Sequence, residues 1–332
     1  MVSSKDVAKK ANVSQSTVSR VLNNPEKVLK KKREKVIDAI KKLNYRPDPI
    51  ARSLVSQKTR LIALISGPLH NPFFVDTTTS IVNYAKSKNF DVQVHFEDFD
   101  NNFHIYQDVL NNKVDGIILS SILYEDKIFE ELKQQQAPFI MFNRRHKNRG
   151  NYVEMDNQQA GEVATNYLLN LNHKDIVWVG GPLSMTTFWG RCEGFKYSLA
   201  KRNLIIEEKD IIITDTSFDS IFLEVMKLIS RKTIPTAIVA ATDSIAIYII
   251  DILKREGYRV PEDISIVGID NVELSNHSIF SLSTVGIETD KNLGLIAIEH
   301  LINLIEGRQN ETDIIQQTFE TKLFARETTK GI

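Results

Sequence analysis

Two groups of residues in this sequence have types and spacings suited to recognition chemistry. The first lies in "ANVSQSTVSRVLN", where Ser14, Gln15, Ser16, Thr17, Ser19, Arg20 and Asn23 stand where a core-building helix would carry leucines. Hydroxyls, amides and a guanidinium at such density suit hydrogen bonding to base edges and phosphate oxygens. The second group is scattered along the chain: Phe73, Phe74, Asn143, Arg144, Trp189, Arg191, Phe218, Asp243 and Asp270. Fork-shaped guanidiniums and carboxylates satisfy vicinal hydroxyls, and aromatic rings cover the apolar face of a sugar or the flat face of a base. Some of these residues have a plainer role open to them. Asp243 can cap the helix "SIAIYIIDILK", one of Phe73 and Phe74 is expected in the core, and Trp189 either fills a pocket or stacks on a ligand.

The first group needs short helices to present it. Ser3 with Asp6 reads as a capping box opening a helix through Val7 and Ala8, and Asn12 suits its left-handed end. Ser14 then caps a second helix, in which Val18, Val21 and Leu22 share one face and Gln15, Ser16, Ser19 and Arg20 point elsewhere. A third helix over about Lys31–Asn44 offers Val36, Ile40 and Leu43 to a small shared core. Two short helices joined by a tight turn, the second with a polar face, make a helix-turn-helix. Charge agrees with this reading. Although the net charge is zero, residues 1–60 hold sixteen Lys and Arg against five Asp and Glu, so a head of +11 precedes a body of −11. A basic segment of this kind favours phosphate contacts.

At 332 residues, 42% hydrophobic and 25% charged, the chain has the composition of a soluble globular protein of two or three domains. The start "MVSSKDVAKKANVS" lacks the layout of a signal peptide, and no apolar run approaches the ~20 residues of a bilayer span, so a cytoplasmic protein is expected. The single cysteine, Cys192, excludes an internal disulfide, and the seven histidines show no metal-ligand spacing. Neither a metal nor a cofactor is expected.

The segments "KDVAKKANVSQSTVSRVLN" and "VIDAIKKLNYRPDPIARSL" resemble the DNA-binding head of the LacI/GalR family of transcription regulators, and the similarity continues through nearly the whole chain. The resemblance implies that Gln15 and Ser16 read bases in the major groove, that Thr17 and Ser19 touch phosphate or the groove, and that Arg20 reaches a base or the backbone. Lys5, Ser14 and Asn23 join this DNA-binding set. It further implies a hinge helix in "YRPDPIARSLVSQKT", with Leu54 as a wedge between central base pairs of the minor groove and Ala51 allowing two symmetry-related helices to pack. Asp48 and Pro49 suit the N-cap and first position of that helix, which is too short to be stable alone. One departure stands out. Family members usually cap the third helix with Ser or Asp, but this chain has Leu29 followed by Lys30 to Lys32. A lost cap costs about 1 kcal/mol and cations oppose the helix dipole, so the run means either local instability or added phosphate attraction.

The second group is positioned by a repeated pattern. "LIALIS", "VQVHFED", "GIILSS" and "FIMF" alternate with segments of helical length, and the pattern begins again with "DIVWVGG", "DIIIT", "TAIVAA" and "ISIVGID". Two βα blocks imply two parallel-sheet subdomains with a cleft between them, and ligands of such sheets bind beyond the strands' carboxyl ends. The expected fold is a small all-α helix-turn-helix head plus an α/β periplasmic-binding-protein-like core of two Rossmann-like subdomains. The boundaries read as 1–46 for the head, 47–60 for the hinge and 61–332 for the core. By the family pattern the core crosses between subdomains near Asn157, Ile287 and Thr318, giving an N-subdomain of about 61–156 and 288–317 and a C-subdomain of about 157–287 and 318–332. Resemblance singles out Arg191 in "RCEGF" and Asp270 in "GIDN" as effector-binding positions.

The chain carries no Walker loop, no GxGxxG after a strand, no GxSxG elbow and no Cys-His pair placed for nucleophilic attack. An enzyme is therefore not expected. The alternative reading, a sugar-binding receptor or cleft enzyme with no DNA role, leaves the helix-turn-helix unexplained. The expectation is a ligand-controlled transcription regulator, a repressor, acting as a homodimer on a near-palindromic operator with a sugar or sugar derivative as effector. The end "FARETTKGI" has no heptad-bearing tail, so no tetramerising helix is expected.

Overall fold

A computed structural model describes residues 2–23, 25–45, 58–97, 102–135, 137–308 and 313–332. Positions 46–57, with Ala51 and Leu54 of the expected hinge, lie outside the described residues. Contacts divide the chain into a unit Met1–Thr59 and a unit Arg60–Ile332.

The smaller unit holds three helices: α1 (Ser4–Ala11), α2 (Gln15–Asn23) and α3 (Lys30–Lys42). The Ser3 N–H donates to Asp6 Oδ2 at 2.8 Å and the Asp6 N–H to Ser3 Oγ at 3.4 Å, completing the capping box. Asn12, at φ 53°, turns the chain out of α1, and Ser14 Oγ accepts the Thr17 N–H at 3.3 Å at the start of α2. Val7, Ala8, Ala11, Val18, Val21, Val36 and Ala39 form the core, with Leu22, Ile40 and Leu43 half-buried around it. Helix α3 begins without a side-chain cap, because Leu29 offers its N-terminus no acceptor and stands 74% exposed.

The larger unit contains two six-stranded sheets wound in the same way. Strands β1 (Leu61–Ser66), β2 (Asp91–Phe96), β3 (Gly116–Leu119), β4 (Phe139–Phe142) and β5 (Tyr152–Met155) are joined by β11 (Gln316–Phe319) in the parallel order β11-β5-β4-β3-β1-β2. The second sheet takes β6 (Ile176–Gly180), β7 (Ile211–Ile213), β8 (Ala237–Ala240), β9 (Ser265–Ile269), β10 (Thr284–Ile287) and β12 (Thr321–Phe324) in the order β12-β10-β9-β8-β6-β7. Of its pairings, β10 with β12 is antiparallel.

The central strands are apolar throughout because helices cover both faces. Alternation along β1 divides its side chains: Ile62 and Leu64 join one core with Phe142 and Leu301, while Ala63 and Ile65 join another with Phe129 and Met141. The chain leaves the first sheet after β5 and returns after β10 as the helix Leu293–Ile305, which packs on the first sheet's core. Strand β12 then carries it back to the second sheet. In both sheets the winding reverses beside the first strand, at β2-β1-β3 and β7-β6-β8, which opens a crevice at the carboxyl ends.

One helix contact sets the position of Arg191. The helices Asn157–Asn170 and Thr186–Lys201 touch backbone to backbone, and a Cβ at Gly161 would collide with the Arg191 carbonyl, one at Gly194 with the Gln158 carbonyl. Glycine is what permits this approach.

Candidate functional site

A cavity of about 450 Å³ opens at the carboxyl ends of both sheets. Pro68 and His70 follow β1, Glu97 follows β2, Asn143 and Arg144 follow β4, Thr216 and Ser217 follow β7, Thr242 follows β8 and Asp270 follows β9. Phe73, Phe74 and Phe188 supply aromatic surface from two helix starts. The volume is that of a small-molecule site.

Arg191 and Asp270 form the most constrained pair in this wall. Arg191 is 2% exposed, and its guanidinium donates from Nη2 to Asp270 Oδ1 at 2.8 Å, from Nη1 to the Ala241 carbonyl at 2.6 Å and from Nε to Asn157 Oδ1 at 3.0 Å. It therefore ties the β8 and β9 ends to the first residue of the helix Asn157–Asn170. Burial pushes the Asp270 carboxyl above its ordinary range, and the Arg191 charge and hydrogen bond oppose that rise. Asp270 has φ 130°, a backbone conformation that costs a side-chain-bearing residue about 1–3 kcal/mol, and its N–H donates to the Val285 carbonyl at 2.7 Å. At the matching end of β4, Asn143 is also left-handed, at φ 67°.

The facing arginine is held differently. Arg144 is buried, donates from Nη1 to the Ser121 carbonyl at 3.1 Å, and has Glu97 Oε2 3.9 Å from Nη1. Desolvation lowers its pKa, and Glu97 acts against that shift.

The structure thus gathers Phe73, Phe74, Asn143, Arg144, Arg191 and Asp270 around one cavity, and both phenylalanines line it while being buried. Three of the residues read from the sequence as pocket candidates lie elsewhere. Asp243 is fully buried behind the wall, where Oδ2 accepts the Val272 N–H at 2.9 Å and Oδ1 accepts the Thr284 hydroxyl. Nor does it cap its helix: Thr242 does, accepting the Ile245 N–H at 3.2 Å. Burial first, then repulsion from Asp270, pushes the Asp243 carboxyl up to about 7.

Trp189 is 56% exposed and lines a separate cavity of about 960 Å³ beside β5, because the helical turn brings its neighbour Phe188 to the strand ends instead. Phe218 packs edge-on against Tyr248 on the outer surface, leaving Ser217, the N-cap before it, at the cavity. The larger cavity lies away from the winding reversals, and its own ion pair, Arg145 Nε with Glu154 Oε1 at 2.7 Å, leaves the arginine one-third exposed, whereas Arg191 and Asp270 are both buried, so the smaller one is the candidate site. Glu97, Phe188 and Asn157 complete the arrangement without having been read from the sequence. Of these, Glu97 carried a usable signal, a carboxylate directly after a strand.

In the head, Ser14, Gln15, Ser16 and Arg20 are exposed, Thr17 and Ser19 half-buried, and Lys5 exposed on α1. The polar face is held by its own hydrogen bonds: Gln15 Nε2 donates to Ser4 Oγ at 2.8 Å, and Ser14 Oγ lies 2.8 Å from Ser16 Oγ and 2.9 Å from Thr17 Oγ1.

Comparison with known proteins assigns both units to one family. Residues 59–327 match the family described as periplasmic binding proteins and sugar binding domain of LacI family, and residues 4–48 match bacterial regulatory proteins, lacI family. The chain belongs to the LacI family. It is 32% identical to the ribose operon repressor of Halalkalibacterium halodurans, with 100% of this chain and 98% of the relative covered. With catabolite control protein A of Priestia megaterium it shares 30% identity over 94% of this chain and 95% of the relative. Among solved structures, the Lac repressor dimer bound to operator and the anti-inducer ONPF superposes with a TM-score of 0.84 at 27% identity, with 99% of each chain covered.

Proposed function

We infer that this LacI-family protein is a sequence-specific DNA-binding transcription regulator, a repressor, whose operator affinity is set by a small sugar-like effector in the Arg191–Asp270 cavity. It is not an enzyme. As in the Lac repressor structure, the acting species is a homodimer on operator DNA, and it works in the cytoplasm. The observation that carries the reading is that one chain holds both a hydrogen-bonded polar helix α2 on a basic unit and a cavity walled by a buried Arg–Asp pair at the strand ends.

Gln15, Ser16 and Arg20 are the base-reading candidates, with Lys5, Ser14, Thr17, Ser19 and Asn23 on phosphate or groove, and Ala51 and Leu54 in the minor groove. Phe73, Phe74, Asn143, Arg144, Arg191 and Asp270 hold the effector. Asp243, Trp189 and Phe218 leave this set because they stand outside the cavity wall. The exposed run Lys30–Lys32, at the uncapped start of α3, adds attraction for phosphate without sequence preference.

The test is a comparison of two variants on the operator selected from random DNA. Arg20→Ala should weaken that operator by roughly 1–3 kcal/mol and spare random DNA, whereas Lys5→Ala should weaken both alike and reduce the salt slope by about one. Equal losses on operator and random DNA for Arg20→Ala would remove it from base reading.

A further inference from the structure

The first residue of the larger unit is held more firmly than a strand entrance requires. Arg60 stands immediately before β1 and follows Thr59, the last residue of the smaller unit. Its N–H donates at 3.0 Å to Oδ2 of Asp115, just before β3, and its carbonyl accepts at 2.8 Å the N–H of Asp91, the first residue of β2. The guanidinium lies over the ring of the buried Phe90, 4.8 Å from its centroid, and Nη1 is 3.8 Å from Glu306 Oε1 at the end of the helix Leu293–Ile305. One residue is thus fastened to the entrances of both neighbours of β1 and to a helix end.

The backbone shows that this hold is imposed. Arg60 has φ 58°, a left-handed conformation that a side-chain-bearing residue adopts only at a cost. Asp175 occupies the matching place before β6 in the second sheet, and its carbonyl likewise accepts an N–H, from Thr236 at the entrance to β8, yet its φ is not left-handed. The winding shared by the two sheets therefore does not demand the turn at Arg60. What differs is the segment that precedes each strand: β6 follows a helix of the same unit, whereas β1 follows the unit that carries the polar helix α2. The half-exposed ion pair with Glu306 contributes little by itself, so the hold resides in the two backbone bonds and the ring contact together.

We propose that Arg60 is a positioning residue for operator recognition, fixing the direction in which the chain leaves the core and so the delivery of the base-reading helix to its half-site. The proposal rests on the reading of the smaller unit as a DNA-binding head. Specific recognition by a dimer needs two heads at a set half-site separation, whereas random DNA is held through its phosphates without one. A loosened joint therefore adds ordering entropy to operator binding and leaves non-specific binding alone.

Fluorescence anisotropy on the full chain tests this, with the operator selected from random DNA and a scrambled duplex of equal length, each at several salt concentrations. Arg60→Gly accommodates the left-handed backbone while deleting the guanidinium and freeing the joint. It should weaken operator binding roughly tenfold, keep the scrambled duplex within about twofold and preserve the wild-type salt slope. Arg60→Lys, which retains the charge and the aliphatic stem, should recover most of the loss. Asp115→Ala leaves every cation in place and removes only the acceptor of the Arg60 N–H, and it should also weaken the operator selectively.

Unchanged operator affinity in Arg60→Gly or in Asp115→Ala would overturn the proposal. So would losses that merely follow a lowered thermal transition of the core in both variants. Equal losses on the two duplexes, with a salt slope lower by about one, would make Arg60 a phosphate contact instead. A wild type that binds operator and scrambled duplex alike would defeat the DNA-reading head itself, whereas a discriminating wild type with indifferent variants would defeat only the joint.

Discussion

Arg191→Ala should destabilise the larger unit by about 3–5 kcal/mol and abolish effector binding. The side chain fills a site between β8, β9 and the helix Asn157–Asn170, and its removal strands three acceptors at once: the Ala241 carbonyl, Asn157 Oδ1 and the Asp270 carboxylate. The last dominates, because Asp270 is almost fully buried and would have to stay charged without a partner or take up a proton. A second change should restore part of the loss. In Arg191→Ala with Asp270→Asn no charge is left unpaired, so the double variant should be more stable than Arg191→Ala alone while remaining unable to bind effector. Urea unfolding of wild type, both single variants and the double variant measures this. A loss below about 1 kcal/mol for Arg191→Ala, or retained effector affinity, would contradict the role of the pair.

Asp243 provides the second large effect, on pH dependence. Its carboxyl is fully buried and sits at about 7 in the folded protein, against 3.8 for the ordinary group. Because the folded-state value is raised, the folded state binds more protons than the unfolded state between these values, and its stability contribution is fully present at low pH. It is lost as pH rises from about 4 to about 7, at up to roughly 1.4 kcal/mol per pH unit. Thr284 and Val272, which donate to Asp243, hold the shift below what burial and Asp270 alone would impose.

Wild type is therefore expected to lose a few kcal/mol between pH 5 and pH 8 in this unit, and Asp243→Asn to flatten that slope even though it lowers stability at pH 5 by losing one acceptor. Parallel slopes for the two proteins in urea titrations across this range would show that Asp243 does not titrate there.

Much of the fold was visible in the sequence because its signals are local. The capping box at Ser3 and Asp6, the left-handed Asn12 and the apolar runs of β1 to β4 and β6 to β9 each depend on neighbours a few residues away. Strands β5, β10, β11 and β12 were not visible, since polar residues or a glycine interrupt them and no continuous apolar run stands out: Glu154 in β5, Gly286 in β10, Gln316 and Gln317 in β11, Lys322 in β12. Strand β11 in addition pairs with β5 across more than 150 residues. Strand β11 is also exposed at its edge, so no apolar run marks it.

The site was legible at the level of strand ends and blurred at the level of single side chains. Trp189 and Phe188 differ by the 100° of one helical step, which decides which of them lines the smaller cavity. Asp243 follows a strand as the rule demands, but a glycine at position 268 leaves room for its carboxylate to turn inward rather than toward the cavity. Glu97 obeyed the same rule and was passed over because one carboxylate at a strand end has no visible partner until the fold brings Arg144 beside it.

Regulation requires coupling between the cavity and the DNA-reading helix. The most direct test of that coupling is the affinity of the full chain for its selected operator, measured with and without a saturating neutral sugar, in wild type and in Asp270→Asn. Saturation should shift wild-type operator affinity about 5- to 150-fold, the range of typical coupling energies, and leave Asp270→Asn unmoved. An operator affinity that ignores a sugar shown to occupy the Arg191–Asp270 cavity would contradict the account.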